Sequence, residues 1–170
     1  MAFFSKKEDS NKDKLATLIA QGLTLSKDNQ PQKAIGFFKE ALKIKPDSPT
    51  ILANIGIMHK ELKEYDKAVE LLNKALKIDS KDKDELKKHQ ILHNLALVYA
   101  KMEDWEKAKS YAQKTIEEKP EYVAAYKLLA GIYFEQKDYQ KTVEYCDKAL
   151  KMDPNDQMLL KVKEVAKNQF

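Results

Sequence analysis

Glycine, proline and cysteine are scarce in this chain of 170 residues, which contains four, five and one of them. Helices tolerate glycine and proline least, so their scarcity favours a largely helical protein. Few β-branched residues accompany the abundant Leu, Ala, Lys and Glu, which favours helices as well. The single cysteine, Cys146, excludes an internal disulfide and fits a reducing compartment, so we expect a cytoplasmic protein.

Arginine is absent, and all 31 basic residues are lysines. The chain therefore lacks the planar guanidinium that contacts guanine and phosphate through two parallel hydrogen bonds. The net charge of +4 is spread thinly, without a basic patch. No apolar run approaches the ~20 residues that span a bilayer, and the N-terminus lacks the apolar core of a signal peptide. We expect neither nucleic-acid binding nor direct membrane insertion.

The first residues, MAFFSKKEDSNKDK, are mostly polar. We interpret residues 1–14 as a disordered, solvated tail that precedes the folded domain. The alternative is a tail whose Phe3 and Phe4 dock on that domain.

A segment of similar sequence recurs along the chain. Residues 65–79, YDKAVELLNKALKID, and residues 139–153, YQKTVEYCDKALKMD, match at 9 of 15 positions. Weaker copies lie at 34–46 and 108–120. The 74 residues between the two strong copies are two periods of 34 plus an insertion of six. The chain is therefore predicted to consist of repeated structural units.

When the chain is aligned at this period, small residues fall into columns. The first column is Gly22, Gly56, Ala96 and Ala130. Two further columns are Ala34, Ala68, Ala108 and Thr142, and then Ala41, Ala75, Thr115 and Ala149. Spacings of three, four or seven residues within each half-repeat predict two helices joined by a short polar turn. We expect the small residues where helix axes approach closely, and the pairs to stack because none buries its apolar face alone.

These columns resemble the tetratricopeptide repeat, a family of stacked helix pairs with this period. The resemblance covers residues 15–156 as four repeats: 15–48, 49–82, 89–122 and 123–156. It implies an all-α fold, an α-solenoid of antiparallel helix pairs wound into a right-handed superhelix. The sequence departs from the family pattern at Pro31, Ser80, Thr115 and Thr142.

Two segments lie outside the four repeats. The polar insertion 83–88 contains no helix breaker, so we expect it to lengthen the following helix. A projecting contact surface is the alternative. Residues 157–170 predict a capping helix, for which a membrane-surface helix is the alternative. The apolar face of this helix would comprise Met158, Leu159, Val162, Val165 and Ala166.

In the family that the chain resembles, the first helices line a concave groove that binds an extended peptide or a partner helix. Once the stacking columns are removed, the predicted groove residues are Ile19, Leu23, Ala53, Asn54, Ile57, Gln90, His93, Asn94, Leu97, Lys127, Gly131 and Phe134. The apolar members would form a strip of the kind that marks a partner site. Asn54 and Asn94 can each bond a peptide backbone. The alternative is that curvature or the N-terminal tail buries some of them.

Some family members grip the acidic tail of heat-shock chaperones with a two-carboxylate clamp, and this sequence does not fit it. Ile19 and Leu23 stand at the clamp positions of the first helix, and Gln90 and Asn94 stand at those of the third. Only Asn54 matches. We therefore expect a partly apolar ligand.

Catalytic signals are weak. The chain has no G-x-S-x-G motif, P-loop or glycine-rich phosphate cradle. His89 and His93 have a spacing that suits a metal, but without the Glu of a zinc-protease helix we predict a surface residue and a groove residue. Cys146 lies in a column filled elsewhere by Phe38, Leu72 and Ala112, so we predict a packing role instead of a redox role. We expect no catalytic residue, metal or cofactor.

The sequence thus predicts a non-catalytic adaptor that binds a peptide or helix of a partner protein in its concave groove. Two alternatives stay open: a small chaperone for exported or membrane-associated clients, and a scaffold that self-associates end to end. Of the functions considered, an enzyme is the one that the sequence favours least.

Overall fold

The structure, a computed structural model, describes residues 2–78 and 88–169, with side chains from Ser10 onward. Throughout these ranges the regular secondary structure is helical, without a strand. The described helices are α1 (Ala2–Lys27), α2 (Pro31–Ile44), α3 (Pro49–Glu61), α4 (Tyr65–Lys77), α5 (Lys88–Lys101), α6 (Trp105–Glu118), α7 (Val123–Glu135), α8 (Tyr139–Leu150) and α9 (Gln157–Lys167). They form two compact units, unit 1 (Met1–Leu86) and unit 2 (Lys87–Phe170).

Consecutive helices pack as pairs in both units. In unit 1, α1 packs on α2 and α3 on α4, and α2 contacts α3. In unit 2, α5 packs on α6 and α7 on α8, while α6 contacts α7 and α9 covers α8. The predicted all-α fold of consecutive antiparallel helix pairs is confirmed; the right-handed superhelix stays a prediction.

The turn between the two helices of each pair has the same backbone geometry in all four cases. A non-glycine residue adopts a left-handed conformation, with φ between 55° and 60°, at Asn29, Lys63, Glu103 and Lys137. The next amide then donates to the carbonyl five residues earlier, as from Asp138 N to Tyr133 O at 2.9 Å. This pattern is the Schellman motif, which ends a helix within one residue. The short polar turns therefore reverse the chain at equivalent points of the repeats.

Small residues lie where the helices of a pair approach most closely. A Cβ built on Gly22 would lie 2.5 Å from Cε1 of Phe38, inside van der Waals contact. A Cβ on Gly56 would lie 3.0 Å from Cγ of Leu72. Ala96 and Ala130, in the same column, are 0% and 1% exposed. The predicted reason for this column, close packing of helix pairs, is confirmed.

The N-terminal segment differs from the sequence prediction. Helix α1 begins at Ala2, so residues 2–14 are helical in this structure, where the sequence analysis expected a disordered tail. No glycine or proline interrupts residues 2–21, which lets the helix continue outward from its packed half. Side chains from Ser10 to Lys14 are exposed, as expected for a solvated segment. Docking of Phe3 and Phe4 lies outside the described side chains, and residues 83–87 of the insertion lie outside the described residues.

Helix α9 caps α8, but with a narrower apolar face than predicted. Leu159 and Ala166 are buried, and Val162 packs against the same cluster as Cys146. Met158 and Val165 are 68% and 47% exposed, so the prediction that they belong to the packed face is wrong. They lie about a quarter-turn around the helix from the line of Leu159 and Ala166, since a helix has 3.6 residues per turn. Within the described ranges, no helix has the length and apolar character that a membrane crossing requires.

Candidate binding surface on the first helices

In unit 1, the predicted groove residues of α1 and α3 differ in how accessible they are. Leu23 on α1 is 42% exposed. Ile19 and Ile57 are half-buried, because each also packs against the core between α2 and α3. Asn54 is half-buried too. Ala53, which was predicted to line the groove, has no exposed surface, because its methyl group packs against neighbouring helices.

In unit 2, helix α5 presents a row of half-buried residues, namely Gln90, His93, Asn94 and Leu97. The side-chain amide of Asn94 donates to the carbonyl oxygen of Gln90, one turn earlier, at 2.9 Å. This bond holds the orientation of the Asn94 amide. It leaves the amide's second N–H and its carbonyl oxygen for a further partner.

The two histidines of α5 pack around one tyrosine. The ring of Tyr122, the residue before α7, meets His89 edge-on at 5.0 Å between centroids and His93 at 5.2 Å. His89 is only 6% exposed, so its predicted surface position is wrong. Sequence reasoning missed this contact because Tyr122 lies in the turn, outside the helical columns. In the part of the chain that the structure describes, no group of three His, Cys, Asp or Glu residues is arranged to hold a metal.

Lys127 on α7 takes part in an interaction that the sequence did not indicate. Its ammonium forms an ion pair with the carboxylate of Asp156, while its side chain stays 38% exposed. Asp156 is the N-cap of α9, and its Oδ1 accepts the amides of Met158 and Leu159 at 3.0 Å each. The hydrogen bond from Lys127 is the main reason why the pKa of Asp156 lies below its ordinary value. Lys127 therefore links α7 to the start of α9.

The remaining predicted residues of α7 are accessible. Gly131 is exposed, and a Cβ built on it would meet no atom within 4 Å. Phe134 is half-buried, and its ring lies edge-on to Tyr139 with 5.9 Å between centroids. Helices α5 and α7 contact each other, so Leu97, Gly131 and Phe134 belong to neighbouring first helices of one unit.

Helix α9 continues the first-helix positions of unit 2, which sequence reasoning did not use. Val165 follows Gly131 by 34 residues, as Gly131 follows Leu97, and Lys161 follows Lys127 by the same distance. Val165 is therefore the α9 residue equivalent to Leu97 and Gly131, and its side chain is 47% exposed. The 34-residue period was the signal that could have shown this.

Cys146 is not part of an accessible site. The side chain has no exposed surface and packs with Ala130, Ala149 and Leu159. Burial raises the pKa of the thiol to about 11, so the thiol is protonated at neutral pH. The thiolate is the reactive form of cysteine, so this protonated thiol is unreactive. The predicted packing role of Cys146 is confirmed.

Comparison with known sequences shows matches to one repeat family. Sequence models of the tetratricopeptide repeat match residues 15–48, 47–117 and 93–157. Human N-alpha-acetyltransferase 16, NatA auxiliary subunit, is 30% identical over 120 residues, which are 66% of this chain. The chain spans only 13% of the length of that relative.

Solved structures show the same fold at low sequence identity. The crystal structure of MamA superposes with a TM-score of 0.71 at 18% identity and covers 91% of this chain and 81% of MamA. YrrB, a TPR protein with an unusual peptide-binding site, gives 0.66 at 19% identity and covers 96% and 81%. The first TPR of Spaghetti (RPAP3), bound to the HSP90 peptide SRMEEVD, gives 0.63 at 16% identity and covers 72% and 92%.

Proposed function

Because the chain belongs to the tetratricopeptide repeat family, we propose that it is a non-catalytic adaptor that binds a segment of a partner protein on the concave side of its first helices. The observation that carries the proposal is apolar surface that the fold does not need. Leu23 is 42% exposed on α1, and Leu97 and Phe134 stay half-exposed on α5 and α7. Side chains that a core requires are buried, so this surface favours a partner site.

The structural neighbours support binding of a peptide. YrrB is a TPR protein with an unusual peptide-binding site, and the RPAP3 domain is bound to a short HSP90 peptide. On this chain, Asn94 is oriented by its bond to Gln90 and keeps hydrogen-bonding groups for a peptide backbone. We propose that the partner segment is partly apolar. The proposal includes a cytoplasmic location, which rests on the single buried cysteine.

The end-to-end scaffold is the weaker alternative, for a reason seen in unit 1. On α3, the face that packs on α2 consists of Ile51, Ile55 and Met58, all buried. The equivalent face of α1, 34 residues earlier, consists of the exposed residues Thr17, Gln21 and Thr24. Both threonine hydroxyls donate to carbonyls of their own helix, at 2.9 and 3.0 Å. A polar face with satisfied hydroxyls suits contact with water better than contact with another repeat.

The adaptor proposal is tested by capturing partners from a native lysate of the source cells. The wild type is compared with a Leu97→Glu, Asn94→Ala double variant. The matched control is Met102→Glu, which places the same charge on an exposed apolar residue in the turn after α5. Circular dichroism establishes that all three proteins are equally folded.

We expect the wild type and Met102→Glu to retain the same partners and the double variant to lose them. Equal capture by all three proteins would show that the concave side is not the binding surface. Co-expression with the captured partner then distinguishes an adaptor from a chaperone. A chaperone keeps an otherwise insoluble partner in solution, whereas an adaptor binds a partner that is already soluble.

A further inference from the structure

Helix α9 has the fewest buried side chains of the helices in unit 2. Only Leu159 and Ala166 of its eleven residues are buried, fewer than in α5, α6, α7 or α8. The turn before it, residues 151–155, is exposed throughout. A terminal helix with few buried side chains can leave its neighbours while the rest of the unit stays folded. When α9 leaves, it uncovers the helix on which it packs, α8.

The surface under α9 has a floor of small side chains. Leu159 packs in one cluster with Ala130 of α7 and with Cys146 and Ala149 of α8. Each of these three small residues is at most 1% exposed while α9 is in place. Small residues on one helix leave room for a large side chain from the helix that packs on it. The floor therefore accepts a side chain of the size of leucine.

Two side chains of opposite charge border this floor and set the direction of the helix that packs on it. The ammonium of Lys127 on α7 pairs with Asp156, the N-cap of α9. The carboxylate of Asp147 on α8 pairs with Lys163, in the middle of α9. Asp156 and Lys163 are seven residues apart, which is about two helical turns. The site therefore matches a helix with an acidic group at its start and a basic group about two turns later.

We propose that this face of α7 and α8 is a docking site for an amphipathic helix of a partner protein, and that α9 is its occupant in the free chain. The partner helix has the chemistry of α9: an acidic N-cap, a Leu three residues later, a Lys four residues after the Leu and an Ala three residues after the Lys. The partner competes with α9, so it binds the fraction of molecules whose α9 has left. Leu97 and Asn94, on which the adaptor proposal depends, take no part in this site.

The probe for this proposal is a fluorescently labelled synthetic peptide with the sequence of residues 153–169, which supplies the α9 helix as a separate molecule. Fluorescence anisotropy measures its affinity for the full-length wild type and for three full-length variants. Leu159→Ala shortens the main apolar side chain of the resident helix, and Lys163→Glu removes its ion pair with Asp147, while the site itself is unchanged. Met158→Ala is the matched control, at an α9 residue that is 68% exposed. Circular dichroism establishes that all four proteins are folded.

We expect Leu159→Ala and Lys163→Glu to bind the peptide at least about tenfold more tightly than the wild type, because a larger fraction of their molecules has an open site. Met158→Ala should bind like the wild type. Lys163→Glu keeps the test valid if Leu159→Ala unfolds the whole unit.

The position of the peptide is tested by reversing one ion pair. A peptide that carries Lys163→Glu should bind the Leu159→Ala chain weakly, because its carboxylate meets that of Asp147. Adding Asp147→Lys to that chain should restore the binding of this peptide and weaken the binding of the original one.

Equal affinity of all four proteins, or binding that does not respond to the charge reversal, would overturn the proposal. A dimer of the wild type that forms with rising concentration and is weakened by Lys163→Glu would overturn it as well, since the occupant would then be α9 of a second copy. Sedimentation equilibrium makes that measurement. The Leu97→Glu, Asn94→Ala variant should bind the peptide like the wild type, which separates this test from the test of the adaptor function.

Discussion

Lys127 on α7 and Asp156 at the start of α9 form an ion pair between residues 29 positions apart in the chain. The same carboxylate accepts the amides of Met158 and Leu159. One side chain therefore begins the last helix and fixes it to the preceding first helix. The cap of unit 2 depends on charge as well as on apolar packing.

Stability should depend on the charge of Asp156 in an identifiable pH range. The pKa of this carboxyl is lowered from its ordinary value of 3.8, chiefly by the hydrogen bond from Lys127. A lowered pKa means that the ion pair stabilises the fold fully above the ordinary pKa. The contribution is lost as the pH falls through the lower pKa of the folded state.

Asp156→Asn keeps an oxygen that can cap α9 but removes the charge, whereas Asp156→Ala removes both. At neutral pH we expect the wild type to have the highest thermal midpoint, Asp156→Asn a lower one and Asp156→Ala the lowest. On acidification below about pH 4 the wild type and the Asn variant should converge. Midpoints that keep the same separation down to the lowest pH would contradict the assigned role of the charge. Circular dichroism melts across the pH range make the measurement.

The close approach of α3 and α4 predicts the effect of a large residue at Gly56. Gly56→Leu should lower the free energy of unfolding by about 1–3 kcal/mol, because the added atoms have to displace Leu72 and the backbone near Ala68. Gly36→Leu is the matched control, since its side chain enters open space. Urea unfolding of both variants measures the difference. Equal stabilities would show that Gly56 is not at a close helix contact.

The docking of α9 on α8 can be followed through the one thiol. Leu159→Ala should lower the free energy of unfolding by about 2–5 kcal/mol, because Leu159 is 3% exposed and packs with Cys146. Met158→Ala, at a residue that is 68% exposed, should change it little. Cys146 should react slowly with a thiol reagent in the wild type and faster in Leu159→Ala. Equal reaction rates of Cys146 in the wild type and in Leu159→Ala would contradict the packing of α9 over this residue.

The repeat architecture was predictable because packing imposes it on every copy. Gly22 and Gly56 stand in one column since each repeat brings two helices together at the same point, and a period of this kind is visible in the sequence. Cys146 was likewise placed correctly by its column. Because each repeat has to satisfy the same packing requirement, one sequence shows that requirement several times.

Features that occur once were not predictable in this way. Nothing in the periodicity indicates that Tyr122 packs on His89, or that Lys127 reaches Asp156. Ala53 was assigned to the groove by its column, but a short side chain at that position is covered by its neighbours. The helical N-terminus was missed because a polar sequence without breakers suits both a solvated helix and a tail. These features depend on contacts made by single residues, which do not recur from repeat to repeat and so leave no periodic pattern in the sequence.

The central claim, that a partner binds the concave side of the first helices, is tested most directly by site-specific photo-crosslinking. A photoreactive phenylalanine analogue is placed at Phe134 on α7 of unit 2, with Met102 in the turn after α5 as control. Each protein is irradiated with the partner obtained by capture. We predict crosslinks from Phe134 and none from Met102. Crosslinks from Met102 alone would contradict the account and place the partner outside the concave side.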